Sequence, residues 1–242
     1  MLKITNLTKS YNQGAIKAVD NINLEVKPGE IFGFLGPNGA GKTTTINMIV
    51  GLLKPDEGEI LVDDIDVGKE SLKAKSVISF VPDNPEIYTK LNGIEYLNFI
   101  GDVFEVSVDK RKERIEYYSK MFNINDALDD IVESYSRGMR QKLALTAALI
   151  SDPSLFILDE PMVGLDPKSS FNLKEVMRKT CDNGGSVFFS THVMEVAENI
   201  CDRIAIINKG KIIALGTMEE LRAGAKESGT LEKIFLELTE NE

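Results

Sequence analysis

Tryptophan is absent from this chain, histidine occurs once and cysteine twice. No apolar run approaches the ~20 residues that a membrane-spanning helix needs. The opening Met1-Leu2-Lys3-Ile4-Thr5 lacks the apolar core of a signal peptide. The chain is therefore expected in the cytoplasm, meeting a membrane only through a partner. Cys181 and Cys201 form no C-x-x-C pair and lie in separate apolar-periodic segments, which reads as buried, reduced thiols. Basic runs are scarce, the longest being Lys110-Arg111-Lys112 in a chain of formal net charge −10. That acidic balance repels nucleic acid and anionic membrane surfaces in general, and no nucleic-acid partner is expected. Repeats and low-complexity tracts are also missing.

What is present suffices for a sizeable core. With 242 residues, 43% hydrophobic and 27% charged, the chain reads as one large domain or one domain with a subdomain. Nothing in it reads as disordered.

The most informative stretch is Gly36-Pro37-Asn38-Gly39-Ala40-Gly41-Lys42-Thr43-Thr44. It fits G-x-x-x-x-G-K-[ST] and lies between a strand-like segment, Ile31 to Leu35, and a helix-like one, Thr44 to Leu53. Glycines let backbone amides turn inward around phosphate oxygens, and the following helix adds the positive end of its dipole. Lys42 would reach the β- and γ-phosphates, and Thr43 would offer its hydroxyl to Mg²⁺. A glycine-rich turn opening an ordinary helix is the plainer alternative.

A second stretch, Leu155-Phe156-Ile157-Leu158-Asp159-Glu160-Pro161, reads as a buried strand ending in two carboxylates. Asp159 suits a metal-organising role at the phosphates, directly or through water. Glu160 would face the γ-phosphate and orient or deprotonate the attacking water. A solvated acidic turn is the alternative, and the apolar run before it argues against that. Ser134 to Lys142 reads as a capped helix start with Ser136 as N-cap, and a helix N-terminus carrying Ser and Gly is also an anion site. Gly164-Leu165-Asp166-Pro167 follows the acidic pair, and Ser190-Thr191-His192 closes a later strand.

Along the chain, the first ~30 residues read as strands, with Ile22, Leu24 and Val26 alternating with polar neighbours. Strands are expected at Glu59–Val62 and Val77–Val81. Residues 84–150 carry only helical signals: capping-box spacing at Asn92 to Glu95, a helix from Asp109 to Phe122, and another from Met139 to Ile150. Strand–helix alternation resumes at Leu155–Leu158, with Asp166-Pro167 opening a helix and Val187–Ser190 and Ile204–Ile207 as buried parallel strands. Asn208 to Lys211 reads as a hairpin turn into Ile212–Leu215, followed by helices near Met218–Ala223 and Leu231–Leu238. The picture is a mixed α/β domain with a helical insert. Ligands in open α/β sheets bind at the carboxyl ends of the strands, which is where the phosphate loop, the acidic pair and His192 all fall.

In the order and spacing of these motifs the chain closely resembles the ATP-binding cassette (ABC) ATPases, the nucleotide-binding subunits of ABC transporters, over nearly its whole length. Gly36–Thr44 resembles the Walker A loop, Leu155–Glu160 Walker B with its catalytic glutamate, Tyr135–Met139 the signature, Gly164–Asp166 the D-loop and His192 the switch histidine. The resemblance implies an α/β fold: a P-loop NTPase core with a mainly parallel sheet, an N-terminal antiparallel β subdomain and an inserted α-helical subdomain. The core with its β subdomain would take 1–83 and 151–216, the insert 84–150 and C-terminal helices 217–242. It implies ATP and Mg²⁺ as cofactors and catalytic roles for Glu160, His192 and Lys42. Tyr11 falls where the family stacks an aromatic ring on adenine, with a plain surface tyrosine as the alternative.

The resemblance also implies a homodimer paired head to tail. Ser136 and Gly138 would meet the nucleotide held by the partner, His192 the γ-phosphate, and Asp166 would link the two sites. Two stretches depart from the family pattern. The signature is Tyr-Ser-Arg-Gly-Met where Leu-Ser-Gly-Gly-Gln is usual, and Asp83 follows Pro82 where a glutamine is usual. Asp83 is expected to reach Mg²⁺, directly or through water, a plain loop acid being the alternative. The loose signature and the stretch Pro82-Asp83-Asn84-Pro85 resemble exporter-type cassettes. The expected role is an ATPase driving export through a separate transmembrane permease subunit, at the cytoplasmic face of the membrane. A soluble cassette regulating a ribosome- or DNA-associated machine is the alternative, disfavoured by the single cassette, the missing coiled-coil insertion and the acidic balance. The ~26 residues after Gly216 are too few for the accessory regulatory domain of some importer cassettes.

Overall fold

The computed structural model describes residues 1–224 and 230–240. Within the expected C-terminal segment 217–242, positions 225–229 and 241–242 lie outside the described residues. The strands in chain order are β1 (Leu2–Tyr11), β2 (Ile16–Val26), β3 (Ile31–Leu35), β4 (Glu57–Val62), β5 (Ile65–Asp66), β6 (Ile78–Val81), β7 (Leu155–Asp159), β8 (Ser186–Thr191), β9 (Arg203–Asn208) and β10 (Lys211–Gly216). Four of them form an antiparallel sheet in the order β2-β1-β4-β5. The other six form a sheet in the order β10-β9-β3-β8-β7-β6, in which every pairing is parallel except β10 with β9.

Burial follows from how each sheet is covered. The strands β3, β7 and β8 are buried at every residue; β3 and most of β7 are apolar without alternation, and β8 is apolar at its centre, Val187 to Phe189. In β2 the inward residues Ile22, Leu24 and Val26 alternate with exposed ones, the pattern of a sheet with one wet face. Helix α1 (Lys42–Ile49) shares one core with both sheets: Ile46 and Ile49 belong with Leu2, Ile4 and Ile60 on one side and Phe32 and Phe34 on the other.

The opposite face of the six-stranded sheet is covered by helices α5 (Arg137–Ile150) and α6 (Pro167–Asp182), whose Leu143, Leu149, Leu173 and Met177 share a core with Phe156, Leu158 and Phe189. Helices α3 (Gly93–Val103) and α4 (Val108–Met121) pack on α5. A third core gathers α7 (Met194–Ile200), α8 (Met218–Gly224) and α9 (Leu231–Glu240) around Leu35, Ile204 and Ile206.

Side-chain caps set the helix starts that frame the site. Asn92 and Glu95 form a reciprocal capping box for α3: Glu95 N donates to Asn92 Oδ1 at 2.8 Å and Asn92 N to Glu95 Oε2 at 2.9 Å. Ser136 caps α5, its hydroxyl oxygen accepting Met139 N at 3.2 Å. Asp166 caps α6 with Pro167 in the first helical turn. In 84–150 the described strand-like pairing is a single bridge, Asn92 with Ile131.

Three short elements depart from the expected pattern. The strand expected from Val77 begins at Ile78, because Val77 closes helix α2 (Ser71–Val77). Both α2 and α7 are seven residues long with one buried side chain each, too short for a helical period to stand out. The two-residue β5 depends on a tight turn at Asp63 and Asp64, whose φ angles are 50° and 61°. Both cysteines are free; Cys181 is buried, and burial pushes its thiol up to about 11, while Cys201 is only partly covered. Among the described residues no helix is long and apolar enough to cross a membrane.

Phe188 of β8 lies 5.8 Å from the Phe32 ring and 5.3 Å from the Phe34 ring, and it is fully buried. Phe188→Ala is expected to lose about 3–5 kcal/mol of stability, and Phe188→Leu about 1.5 kcal/mol or less. Urea unfolding measures both; equal losses would mean that ring packing is not what holds β8 in place.

Candidate active site

The carboxyl ends of β3, β7 and β8 lie level at one edge of the sheet. Leu35 pairs with Thr191 and Asp159 with Ser190. Between them opens a cavity of about 240 Å³, bordered by the loop from Pro37 to Thr44, by Asp159 and Glu160, by Asp83 and by Ala18 of β2. Within the loop Ala40 is buried and does not border the cavity.

Glycine shapes the floor of this cavity. Gly41 has φ 111°, and a Cβ there would lie 2.3 Å from the Ala18 carbonyl oxygen, so no other residue fits without moving β2. Helix α1 begins on the next residue. The amides of Lys42, Thr43 and Thr44 precede its first intrahelical bond, Thr45 N to Gly41 O at 2.9 Å. Orphan amides and the positive end of the helix dipole favour an anion here.

Charge is concentrated around that floor. Lys42 is 6% exposed; its Nζ donates to Gly36 O at 2.6 Å and Pro37 O at 3.3 Å, and stands 3.5 Å from Glu160 Oε1. Asp159 is 4% exposed and uses both oxygens: Oδ1 accepts Ser190 Oγ, and Oδ2 accepts Thr43 Oγ1 at 2.9 Å. Glu160 leaves the strand through a left-handed backbone, φ 48°, with its N donating to Ser190 O at 3.1 Å. Its Oε1 is buried and accepts no well-directed hydrogen bond, although His192 Nδ1 is only 2.9 Å away. A buried carboxylate oxygen without a donor is costly, and a donor can reach it from the adjoining cavity.

The Thr43 hydroxyl and the Asp159 carboxylate border the cavity together. They are hard oxygen donors, few enough to suit Mg²⁺, which keeps several waters when it binds beside phosphates. No group of three or more His, Cys, Asp or Glu among the described residues forms an all-protein metal cage. Asp83 also borders the cavity, with its Oδ1 accepting Arg137 Nη2 at 3.0 Å.

A second cluster lies outside the lining of the cavity. Ser136 caps α5, and one residue beyond Arg137 a Cβ on Gly138 would lie 2.9 Å from Gly164 O, so the start of α5 and the turn before α6 approach closely. Asp166 accepts Ser169 N at 3.0 Å and Ser169 Oγ at 2.7 Å, and takes Lys142 Nζ at 2.6 Å. Lys142 first, and Ser169 after it, hold the Asp166 carboxyl well below the usual carboxylate range. Ser136, Gly138, Asp166 and His192 do not line the cavity, and neither does Tyr11, a half-exposed ring paired with Ile16 at the end of β1.

Four residues at these two clusters are given no role by the sequence patterns. Ala18 and Ser190 act through a backbone approach and a hydroxyl on neighbouring strands. Arg137 and Lys142 act through partners 54 and 24 positions away.

Comparison with known proteins agrees with this geometry. The family model described as ABC transporter matches residues 19–163. The Linearmycin resistance ATP-binding protein LnrL of Bacillus subtilis (strain 168) is 39% identical over 221 residues, covering 91% of this chain and 70% of that protein. A solved structure of an ATP binding subunit of an ABC transporter matches with a TM-score of 0.94 at 29% identity, covering 99% of each chain. A dimeric structure of a post-hydrolysis state of an ATP-binding cassette, bound to ADP and Pi, matches with a TM-score of 0.81 at 27% identity, covering 90% of this chain and 98% of that one.

Asp166→Ala removes a helix cap together with the partner of Lys142, and is expected to cost about 1–2 kcal/mol. Asp166→Asn keeps a capping oxygen and removes the charge. Because the folded carboxyl is held low, the charge contributes fully above about pH 4 and is lost as pH falls through the folded value. The urea-midpoint gap between the natural chain and Asp166→Asn should therefore be constant from pH 8 to 5 and close in stronger acid. A gap that closed on raising the pH would contradict the Lys142 pairing.

Proposed function

The chain belongs to the ABC transporter family as an ATP-binding and ATP-hydrolysing subunit, and from that premise we propose the roles of its residues, its metal, its assembly and its direction of transport. Glu160 is the general base. The observation that carries this reading is its buried Oε1 at the cavity, which accepts no well-directed hydrogen bond although Lys42 and His192 stand beside it. Oε1 takes a proton from a water whose oxygen attacks the γ-phosphorus; the bond from that phosphorus to the β–γ bridging oxygen breaks and ADP leaves. Lys42 and the amides opening α1 hold the β- and γ-phosphates, and His192 steadies the γ-phosphate. Thr43 and Asp159 would hold Mg²⁺, which when bound neutralises charge on the phosphate oxygens. Tyr11 takes the adenine, its half-exposed ring lying in the sheet that also supplies Ala18 to the cavity.

Ser136, Gly138 and Asp166 serve a nucleotide held by a second copy paired head to tail. None of them lines the chain's own cavity, and Gly138 closely approaches the turn before α6, which favours this, as does the dimeric relative. The division into an α/β core (1–83 and 151–216), a helical insert (84–150) and a C-terminal segment (217–242) matches these tasks: the core carries the cavity, and the insert carries Ser136 and Gly138. Cargo moves outward through a separate transmembrane permease subunit, with this chain at the cytoplasmic face. The resistance role in the name of LnrL supports that direction.

Glu160→Gln should lower ATP hydrolysis by roughly 10²–10⁴-fold while keeping ATP bound in a closed dimer. Robust turnover in that variant would move the base elsewhere. Lys42→Ala should weaken ATP binding itself. Glu160→Gln captured with ATP and Mg²⁺ from detergent-solubilised host membranes should bring down a polytopic membrane protein in near-equal amount. Ribosomal proteins or DNA-bound factors in its place would favour a soluble role.

A further inference from the structure

Three carboxylates, Asp83, Asp159 and Glu160, border the cavity assigned above to a triphosphate. Such a ring repels the ligand unless each charge is offset. Asp159 is met by two hydroxyls, and Glu160 has Lys42 and His192 beside it. Asp83 is met by Arg137, at 3.0 Å.

Arg137 is itself badly placed as a lone charge. It opens α5, where the helix dipole is positive and the first turn carries no acidic residue. Arg140 and Lys142 follow within two turns; Arg140 donates to Glu133 O and Lys142 pairs with Asp166, so neither faces Asp83 in the observed pairing. An anion at Asp83 and a cation at Arg137 are each adverse alone and offset each other together. These are also two of the positions at which the chain departs from the pattern it resembles, and the departures form one contact.

We propose that Arg137 is a positioning residue for ATP binding within its own chain: it holds the Asp83 carboxylate against the start of α5 and offsets its charge beside the phosphates. The proposal rests on reading the cavity as the phosphate site, and adds to it a residue that does not line the cavity. Its consequence is a direct contact between the phosphate site and the turn that carries Ser136 and Gly138. Both partners are about half exposed, 49% for Asp83 and 57% for Arg137, so the effect is modest and sensitive to salt.

The test is equilibrium binding of a fluorescent ATP analogue, with and without Mg²⁺, at protein concentrations where the chain is monomeric. Arg137→Ala should weaken binding roughly two- to fivefold at low salt, less at high salt. Arg137→Lys should bind within about twofold of the natural chain, because it keeps the charge. Asp83→Asn should bind as well or better, and adding it to Arg137→Ala should restore the loss. A double variant as weak as Arg137→Ala would mean that the arginine acts on the nucleotide or on α5, not through Asp83, and would overturn the proposal. So would an Arg137→Ala variant that binds like the natural chain, which would leave the pair an idle surface contact. Lys42→Ala, measured alongside, separates the two levels. If it loses ATP while the Arg137 series is flat, only the positioning role falls; if it keeps full affinity, the phosphate-site reading falls and takes the positioning role with it.

Discussion

The Asp159 carboxylate is where the sheet and the phosphate loop are tied together. It is almost fully buried, and a carboxylate so placed is costly unless its oxygens are met by donors. The donors come from two different elements, Ser190 on β8 and Thr43 on α1. Satisfying this one group therefore fixes β7 against β8 and fixes α1 against both. The parallel register brings Asp159 opposite Ser190, and the first turn of α1 brings Thr43 across. The neighbouring Glu160 then has its place decided for it, since its amide is already spoken for by Ser190 O.

Around this tie the protein separates two kinds of polar cluster. The inner one is buried, and short of donors at a single atom, Glu160 Oε1. In the outer one, at the starts of α5 and α6, Ser136 and Asp166 both cap helices and Lys142 joins Asp166. An open valence at a concave site is suited to chemistry, whereas satisfied caps on convex turns are suited to presenting a fixed surface.

The large features were legible because they are local. The phosphate loop, the acidic strand end and the capped starts of α3, α5 and α6 are each specified within about ten residues, and apolar runs marked β3, β7 and β8 as doubly covered. What stayed hidden depends on the fold. Ser190 and Asp159 are 31 positions apart, and Asp83 and Arg137 are 54 apart. The residues could be singled out one by one, but their pairing carries no signal until the sheet and the helical insert set them side by side. The short α2, α7 and β5 were obscured for a different reason: with two turns or fewer, their burial is decided by neighbours and not by their own periodicity.

Glu160 sits in a left-handed backbone conformation, which costs a residue of its kind about 1 kcal/mol or more. Asparagine or glycine would occupy that turn with less strain. Neither carries a carboxylate to stand beside Lys42 and His192. Under the role proposed for Glu160, selection for thermal robustness and selection for turnover pull in opposite directions at this one codon. Under that proposed role, a lineage that ceased to need hydrolysis, while still needing the fold, would be free to drift toward the more comfortable residue.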